Sequence, residues 1–169
     1  TALTVTLSNG STITFGPDYV VGTIVQSTPF TIQTDDVYKD GETYEITVAS
    51  TTGGNFENLV TTDKATVTVT DTKDTTTLTL NDVSVNEGTG TATVGGSLDY
   101  APQTTLVVTL SNGSTITFGP DYVVGTIVQS TPFVIQGDDV YKDGETYTVT
   151  VVSTTGGNFE NLVTTDTST

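Results

Sequence analysis

The sequence has no cysteine, histidine, tryptophan or methionine, and its only basic residues are four lysines. Each absence removes a class of chemistry. Without cysteine there is neither a disulfide nor a thiolate zinc site, and without histidine as well, soft-metal sites have no ligands. The nucleophile–base pairs of acyl-transfer enzymes are missing too, and there is no Gly-x-Ser-x-Gly elbow. A pair of carboxylates could in principle work as acid and base on a glycoside. The acids here sit on a loop that recurs along the chain, which suits a repeated structural part, and the chain is read as a non-enzyme. The shortage of base leaves 20 acidic residues against 4 basic ones and a net charge of −16. Such a surface repels nucleic acid and anionic membranes. No run approaches 18 apolar residues, so no transmembrane helix is expected. No signal-peptide pattern is found, and the start at Thr1 leads us to expect a piece of something longer.

What is present is repetition. LSNGSTITFGPDYVVGTIVQSTPF occurs at Leu7–Phe30 and again at Leu110–Phe133, an offset of 103 residues. Residues 1–66 and 104–169 differ at only nine positions: 2, 4, 31, 34, 45, 46, 49, 64 and 65 in the first copy. A period near one hundred is too long for a solenoid and matches one domain per repeat. The expected division is 1–72, the C-terminal part of one repeat, and 73–169, a second repeat lacking its last strand. Within a repeat, Thr- and Val-rich segments alternate with period two and are broken by turn residues every 8–12 positions, the pattern of a β-sandwich. Leu78/Leu80 alternate, the phase slips at Asn81-Asp82, and Val83/Val85 resume, which predicts a first strand over 75–86 with a bulge or a change of sheet. Ala92/Val94, Leu98/Tyr100, Leu106/Val108/Leu110, Ile116/Phe118, Phe133/Ile135 and Tyr147/Val149/Val151 follow. Ser111-Asn112-Gly113 reads as a hairpin turn. The fold class expected is all-β: immunoglobulin-like Greek-key β-sandwich modules in tandem.

Strands that run alternately up and down place the loop Asp138-Asp139-Val140-Tyr141-Lys142-Asp143-Gly144-Glu145 at the same pole as Asn86-Glu87. In the first copy they place Asp35, Asp36, Asp40 and Glu42 beside the linker Asp71-Thr72-Lys73-Asp74. Carboxylates gathered at one pole repel one another unless a cation joins them, and Ca²⁺ takes six to eight oxygen ligands. The alternative is a solvated acidic loop. The spacing is not that of an EF-hand. Gly53-Gly54-Asn55-Phe56-Glu57-Asn58 and its twin at 156–161 read as tight loops anchored by a core Phe. Tyr19, Tyr38, Tyr44 and their twins read as core-edge residues rather than a sugar-stacking patch.

Taken together, VSVNEGTGTATV, LSNGSTITF, DDVYKDGETYTVTV and GGNFENLVTTD resemble the tandem Ig-like extender repeats of giant RTX adhesins of Gram-negative bacteria, the large biofilm and ice-binding adhesins. The resemblance implies type I secretion, an extracellular place on the bacterial cell surface, and a Ca²⁺-rigidified stalk of neighbouring identical repeats that projects a distal ligand-binding region. It also implies that the acidic junction falls on Asp71, Asp74, Asp35, Asp36, Asp40 and Glu42, and by repetition on Glu87, Asp138, Asp139, Asp143 and Glu145. The competing function is a module that itself binds a glycan or surface. The lack of tryptophan and the placing of most differences between copies on strands or element ends favour the spacer.

Overall fold

The computed structural model describes all 169 residues, as strands joined by turns and loops with no helix. By their internal contacts they form two compact units, one of Thr1–Asp35 and Asp40–Asp71, the other of Asp36–Lys39 and Thr72–Thr169.

The first unit is built on one antiparallel sheet. Its strands are β1 (Leu3–Leu7), β2 (Thr12–Phe15), β3 (Glu42–Gly53) and β4 (Lys64–Val69), in the order β2-β1-β3-β4. The β1–β2 turn is closed by Leu7 N–H on Ser11 O and Gly10 N–H on Leu7 O. Gly10 supplies the positive φ of 86° that this turn needs.

The second unit has β5 (Thr75–Leu80), β6 (Thr91–Ala92), β7 (Gly95–Leu98), β8 (Leu106–Leu110), β9 (Thr115–Phe118), β10 (Val128–Gln129), β11 (Phe133–Val134), β12 (Val151–Thr155) and β13 (Asn161–Val163). They form the sheet β10-β7-β5-β13, the sheet β12-β8-β9 and the pair β11-β6, a sandwich-like arrangement. One core joins both larger sheets: Leu78 and Leu80 of β5 and Leu98 of β7 pack with Leu106, Val108, Leu110, Ile116 and Phe118 of β8 and β9. The strict alternation of exposed and buried residues along β5 and of half-buried and buried residues along β8 is the period-two pattern made physical. Gly95 and Gly96 lie inside β7, where a Cβ on Gly95 would stand 2.6 Å from Ile127 Cγ2 and one on Gly96 3.0 Å from Ile116 Cδ1. A side chain at either position would force a neighbouring side chain to shift.

The two copies repeat one another to the residue. Leu3 faces Phe15 as Leu106 faces Phe118, Leu7 faces Val48 as Leu110 faces Val151, and Ile46 faces Ala65 as Val149 faces Ser168. Two differences from expectation have clear reasons. The first strand stops at Leu80 rather than running to Asn86, because the backbone changes partner there: Asn81 N–H still donates to Gly95 O, whereas Val83 N–H donates to Thr169 O. The segment 145–150, counterpart of the first half of β3, is ladder-paired only at Val149, which faces Ser168.

The repetition also supplies an internal control on packing. The strands of the first unit are β1 to β4, in one sheet with no second sheet packed over it. Ile13 and Phe15 are accordingly only half-buried, while Ile116 and Phe118 are 0% exposed. Phe118→Ala is expected to destabilise the second unit by about 3–5 kcal/mol, as is usual for a fully enclosed Phe. Phe15→Ala should cost the first unit clearly less, because part of that side chain never leaves water. Unit-resolved amide exchange in denaturant measures both, and equal losses would contradict the account.

Candidate functional site

The acids of the second unit fall into two groups. Some serve the backbone. Asp99 Oδ1 accepts from Thr77 N–H at 2.8 Å, Asp166 Oδ2 from Leu80 N–H at 2.8 Å and Asp82 Oδ1 from Thr169 N–H at 2.9 Å. Glu160 Oε2 takes the N–H of Asp74 at 2.7 Å. The Asp99 bond ties the end of β7 to β5, and the other three fasten the C-terminal segment beside residues 74–82, where β13 runs parallel to β5, Asn161 facing Thr75. A carboxylate accepting a backbone N–H makes a stronger bond than a neutral acceptor. None of these four was singled out from sequence, because an acid that caps a distant ladder carries no local signal.

The other group converges. The β6–β11 pair sets the 86–90 turn beside the 135–143 loop, with Phe133 opposite Ala92. Gly88 N–H donates to Gln136 O and Ile135 N–H to Gly90 O, both at 3.1 Å. Gly88 has φ of 79°, and a Cβ there would stand 2.6 Å from Asp138 Cβ, so the approach depends on glycine. The result brings oxygens of Glu87, Asp139 and Asp143 within 4.8 Å of one another. Each arm is braced. Asp139 Oδ1 accepts from Tyr141 N–H at 2.7 Å, and Asp143 Oδ1 from Gln136 Nε2 at 2.8 Å. Partial desolvation, followed by the like charges of Asp138, Asp139 and Asp143, pushes the Glu87 carboxyl above its ordinary range.

Of the remaining candidates, Asp138 lies next to the triad and adds its charge to it. Glu145 instead accepts from the Tyr147 hydroxyl. In the first unit the same loop chemistry recurs: Gln33 Nε2 donates to Asp40 Oδ1 at 2.5 Å and the Tyr44 hydroxyl to Glu42. Asp71 Oδ2 accepts the N–H of Asp40 at 2.8 Å, which ties the exit of β4 to that loop. Asp36 belongs to the second unit and accepts from Tyr38 N–H at 2.8 Å. No triad forms around Asp35, Asp40, Glu42 and Asp71 or around Asp74.

Some of the aromatic residues behave as packing groups, whereas Tyr141 and Tyr147, the twins of Tyr38 and Tyr44, are 72% and 50% exposed. Tyr122 meets Phe118 edge-on at 5.1 Å and Tyr19 meets Phe15 likewise at 5.1 Å, each phenol closing its own loop on Thr126 O or Thr23 O at 2.6 Å. Tyr38 stacks on Phe159 at 5.8 Å within the second unit. Phe159 is 6% exposed there, so its glycine-rich loop is anchored in the core as expected. Phe56, the twin, is 62% exposed and is not.

A family model of the LapA domain matches residues 1–72 and 74–169. The chain belongs to the LapA-domain family, the family of the LapA biofilm adhesin, which makes it an adhesin-related protein and points to the cell surface. Neither a curated protein nor a solved structure matches it.

The raised Glu87 fixes the sign of a pH effect. A carboxyl whose folded pKa exceeds its unfolded value disfavours the folded state as pH rises through and above that window, because the fold then holds the proton more tightly. In chelator at neutral pH, Glu87→Gln should therefore raise the melting temperature of the second unit. The gain should close as pH falls below the carboxylate range. A neutral or lower melting temperature for the variant in chelator would contradict the repulsion.

Proposed function

We propose that the chain is a Ca²⁺-stabilised spacer of a bacterial surface adhesin, made of Ig-like Greek-key modules in tandem, which holds a distal ligand-binding region away from the cell. The observation that carries the reading is the triad Glu87, Asp139 and Asp143 with its 4.8 Å span. Oxygens bound to one Ca²⁺ at about 2.3–2.6 Å lie no more than about 5 Å apart, so the span suits a shared ion. Loop carbonyls and water would complete the six to eight ligands. The donor set is all oxygen, which favours Ca²⁺ over softer metals. Mg²⁺ would fit poorly because it demands a tighter octahedron. The LapA-domain match supports the adhesin setting. The type I secretion and RTX character implied by the sequence resemblance belong to the same proposal.

Ca²⁺ is expected to raise the melting temperature of the second unit. A site of extracellular type has a Kd of about 10⁻⁴–10⁻³ M, and an ion at about 100 Kd adds about 2.7 kcal/mol. Glu87→Gln should reverse its sign: more stable than the parent in chelator, less stable in Ca²⁺. Superimposable melts with and without Ca²⁺ would sink the metal assignment.

The stiffening role has its own measurement. Small-angle scattering of the chain should report a longer, narrower particle in Ca²⁺ than in chelator. Asp139→Ala with Asp143→Ala should remove that response while both units stay folded. Scattering that ignores Ca²⁺ would rule out the rigid stalk even if the ion binds.

A further inference from the structure

Asn9-Gly10-Ser11 and Asn112-Gly113-Ser114 are the only two Asn-x-Ser/Thr sequences in the chain, and each forms the tip of a hairpin. Other asparagines, such as Asn81, Asn86 and Asn161, lack the hydroxyl residue two positions on. The pattern matters only where the asparagine is exposed and its amide nitrogen is accessible, and the turn meets both conditions. Asn112 is exposed and Ser114 is buried beneath it. Ser114 N–H donates to the Asn112 side-chain oxygen at 3.0 Å and the Ser114 hydroxyl donates to the same atom at 2.6 Å. The backbone N–H can only donate, so the atom that it meets must be the carbonyl oxygen Oδ1. Nδ2 is thereby turned outward, and no hydrogen bond holds it. Asn9 repeats the arrangement, with Ser11 N–H at 3.0 Å and Ser11 Oγ at 2.6 Å from its Oδ1.

We propose that Asn112, and by repetition Asn9, is an acceptor for N-linked glycosylation, with a sugar diphosphate as donor and a glycosyltransferase as the partner that docks on the turn. The two hydrogen bonds into Oδ1 draw charge from the amide and make the Nδ2 proton easier to remove. Nδ2 attacks C1 of the activated sugar, and the C1–oxygen bond to the diphosphate breaks, its electron pair leaving with the diphosphate. The Nδ2 proton passes to a base of the transferase. Nothing is oxidised or reduced.

Access is open. Gly113 has φ of 85°, and no atom lies within 4 Å of where its Cβ would be, so the crest of the turn presents only backbone. Beside it, Asn112 borders an open groove of about 630 Å³ that also includes Pro132, Phe133 and Tyr147, with room for a first sugar to lie against apolar side chains.

Asn-Gly has a competing fate, in which the glycine nitrogen attacks the asparagine side chain and ammonia leaves. Here Gly113 N–H is engaged with Leu110 O at 3.0 Å and Oδ1 is held by Ser114, which keeps that nitrogen occupied and the side chain away from it. The fold thus shields the amide from self-attack while leaving Nδ2 open to an outside donor.

The test is tandem mass mapping of the protein recovered from the surface of the cells that make it. The expected result is a sugar on Asn112 and Asn9 and on no other asparagine. A lone hexose identifies a nucleotide-activated donor and a preassembled oligosaccharide a lipid-linked one; either supports the proposal. Ser114→Ala should lose the sugar at Asn112 while Asn9 keeps its own, which serves as the internal control for expression and transfer. Ser114→Thr should retain it. Asn112 recovered bare, or recovered as Asp by spontaneous deamidation without sugar, would overturn the proposal, as would a sugar that persists in Ser114→Ala.

Discussion

A β-sheet with one apolar face must have that face covered, and in the second unit the cover is β5 and β7. Leu78, Leu80 and Leu98 lie over Leu106, Val108, Ile116 and Phe118, and these side chains are almost entirely out of water. The first unit carries nearly the same β1, β2 and β3 without such a layer, and its Ile13 and Phe15 stay half-buried although the hydrogen-bond register is unchanged. Register is therefore set locally, by the Ser-Asn-Gly turn and the strand pairing that it starts. Burial is set by what packs across. The position of the 86–90 turn depends on the same layer, because β6 and β7 follow that turn in the chain.

The acidic triad lies in the second unit. Asp139 and Asp143 have close equivalents in Asp36 and Asp40, with the same bonds from tyrosine N–H and glutamine Nε2. Glu87, on the segment between β5 and β6, is the third acid that joins Asp139 and Asp143. A net charge of −16 on 169 residues must be distributed at some cost to a compact state. Part of it is used on backbone N–H groups by Asp82, Asp99, Glu160 and Asp166, where the charge strengthens a hydrogen bond. At the triad no lysine forms an ion pair with it, and desolvation, followed by the like charges of Asp138, Asp139 and Asp143, raises the pKa of Glu87.

Much of this was legible in the residues. The repeat fixed the offset, the alternation marked β5, β8 and β9, and the Asn-Gly pair located the hairpins. Counting strands up and down puts Asp138, Asp139, Asp143 and Glu145 at one pole with Glu87, and of these the structure brings Glu87, Asp139 and Asp143 together. Three things were not legible. Val83 and Val85 alternate like a strand, yet the backbone changes partner at Asn81 and no ladder forms. Asp36–Lys39 reads as loop in its own repeat, while its place in the second unit comes from Tyr38 stacking on Phe159 and from Glu160 N–H donating to Val37 O. Contacts across more than a hundred residues leave no period to detect. Phe56 and Phe159 share one local sequence and have opposite exposure, because what covers each lies far along the chain.

Some of the nine differences between copies are paired. Lys64 and Glu45 form a 3.2 Å ion pair between β4 and β3, and their counterparts are Thr167 and Thr148, so the two charges are replaced together. Ile46 lies directly opposite Ala65, and their counterparts Val149 and Ser168 lie opposite each other in the same register. Four of the nine changes thus form two cross-strand pairs on one ladder. The ion pair is well exposed, and such a pair contributes about 0.2–1 kcal/mol, so its joint replacement costs little. A lone change would leave an extra unpaired carboxylate on an already acidic surface, or a lysine without its acid. The turn Ser-Asn-Gly-Ser has no such freedom: glycine is required by φ, asparagine and serine by their mutual hydrogen bonds, and all four are identical in the two copies. Sequence is free to drift where a neighbour across the ladder can change with it, and fixed where the backbone itself demands the residue.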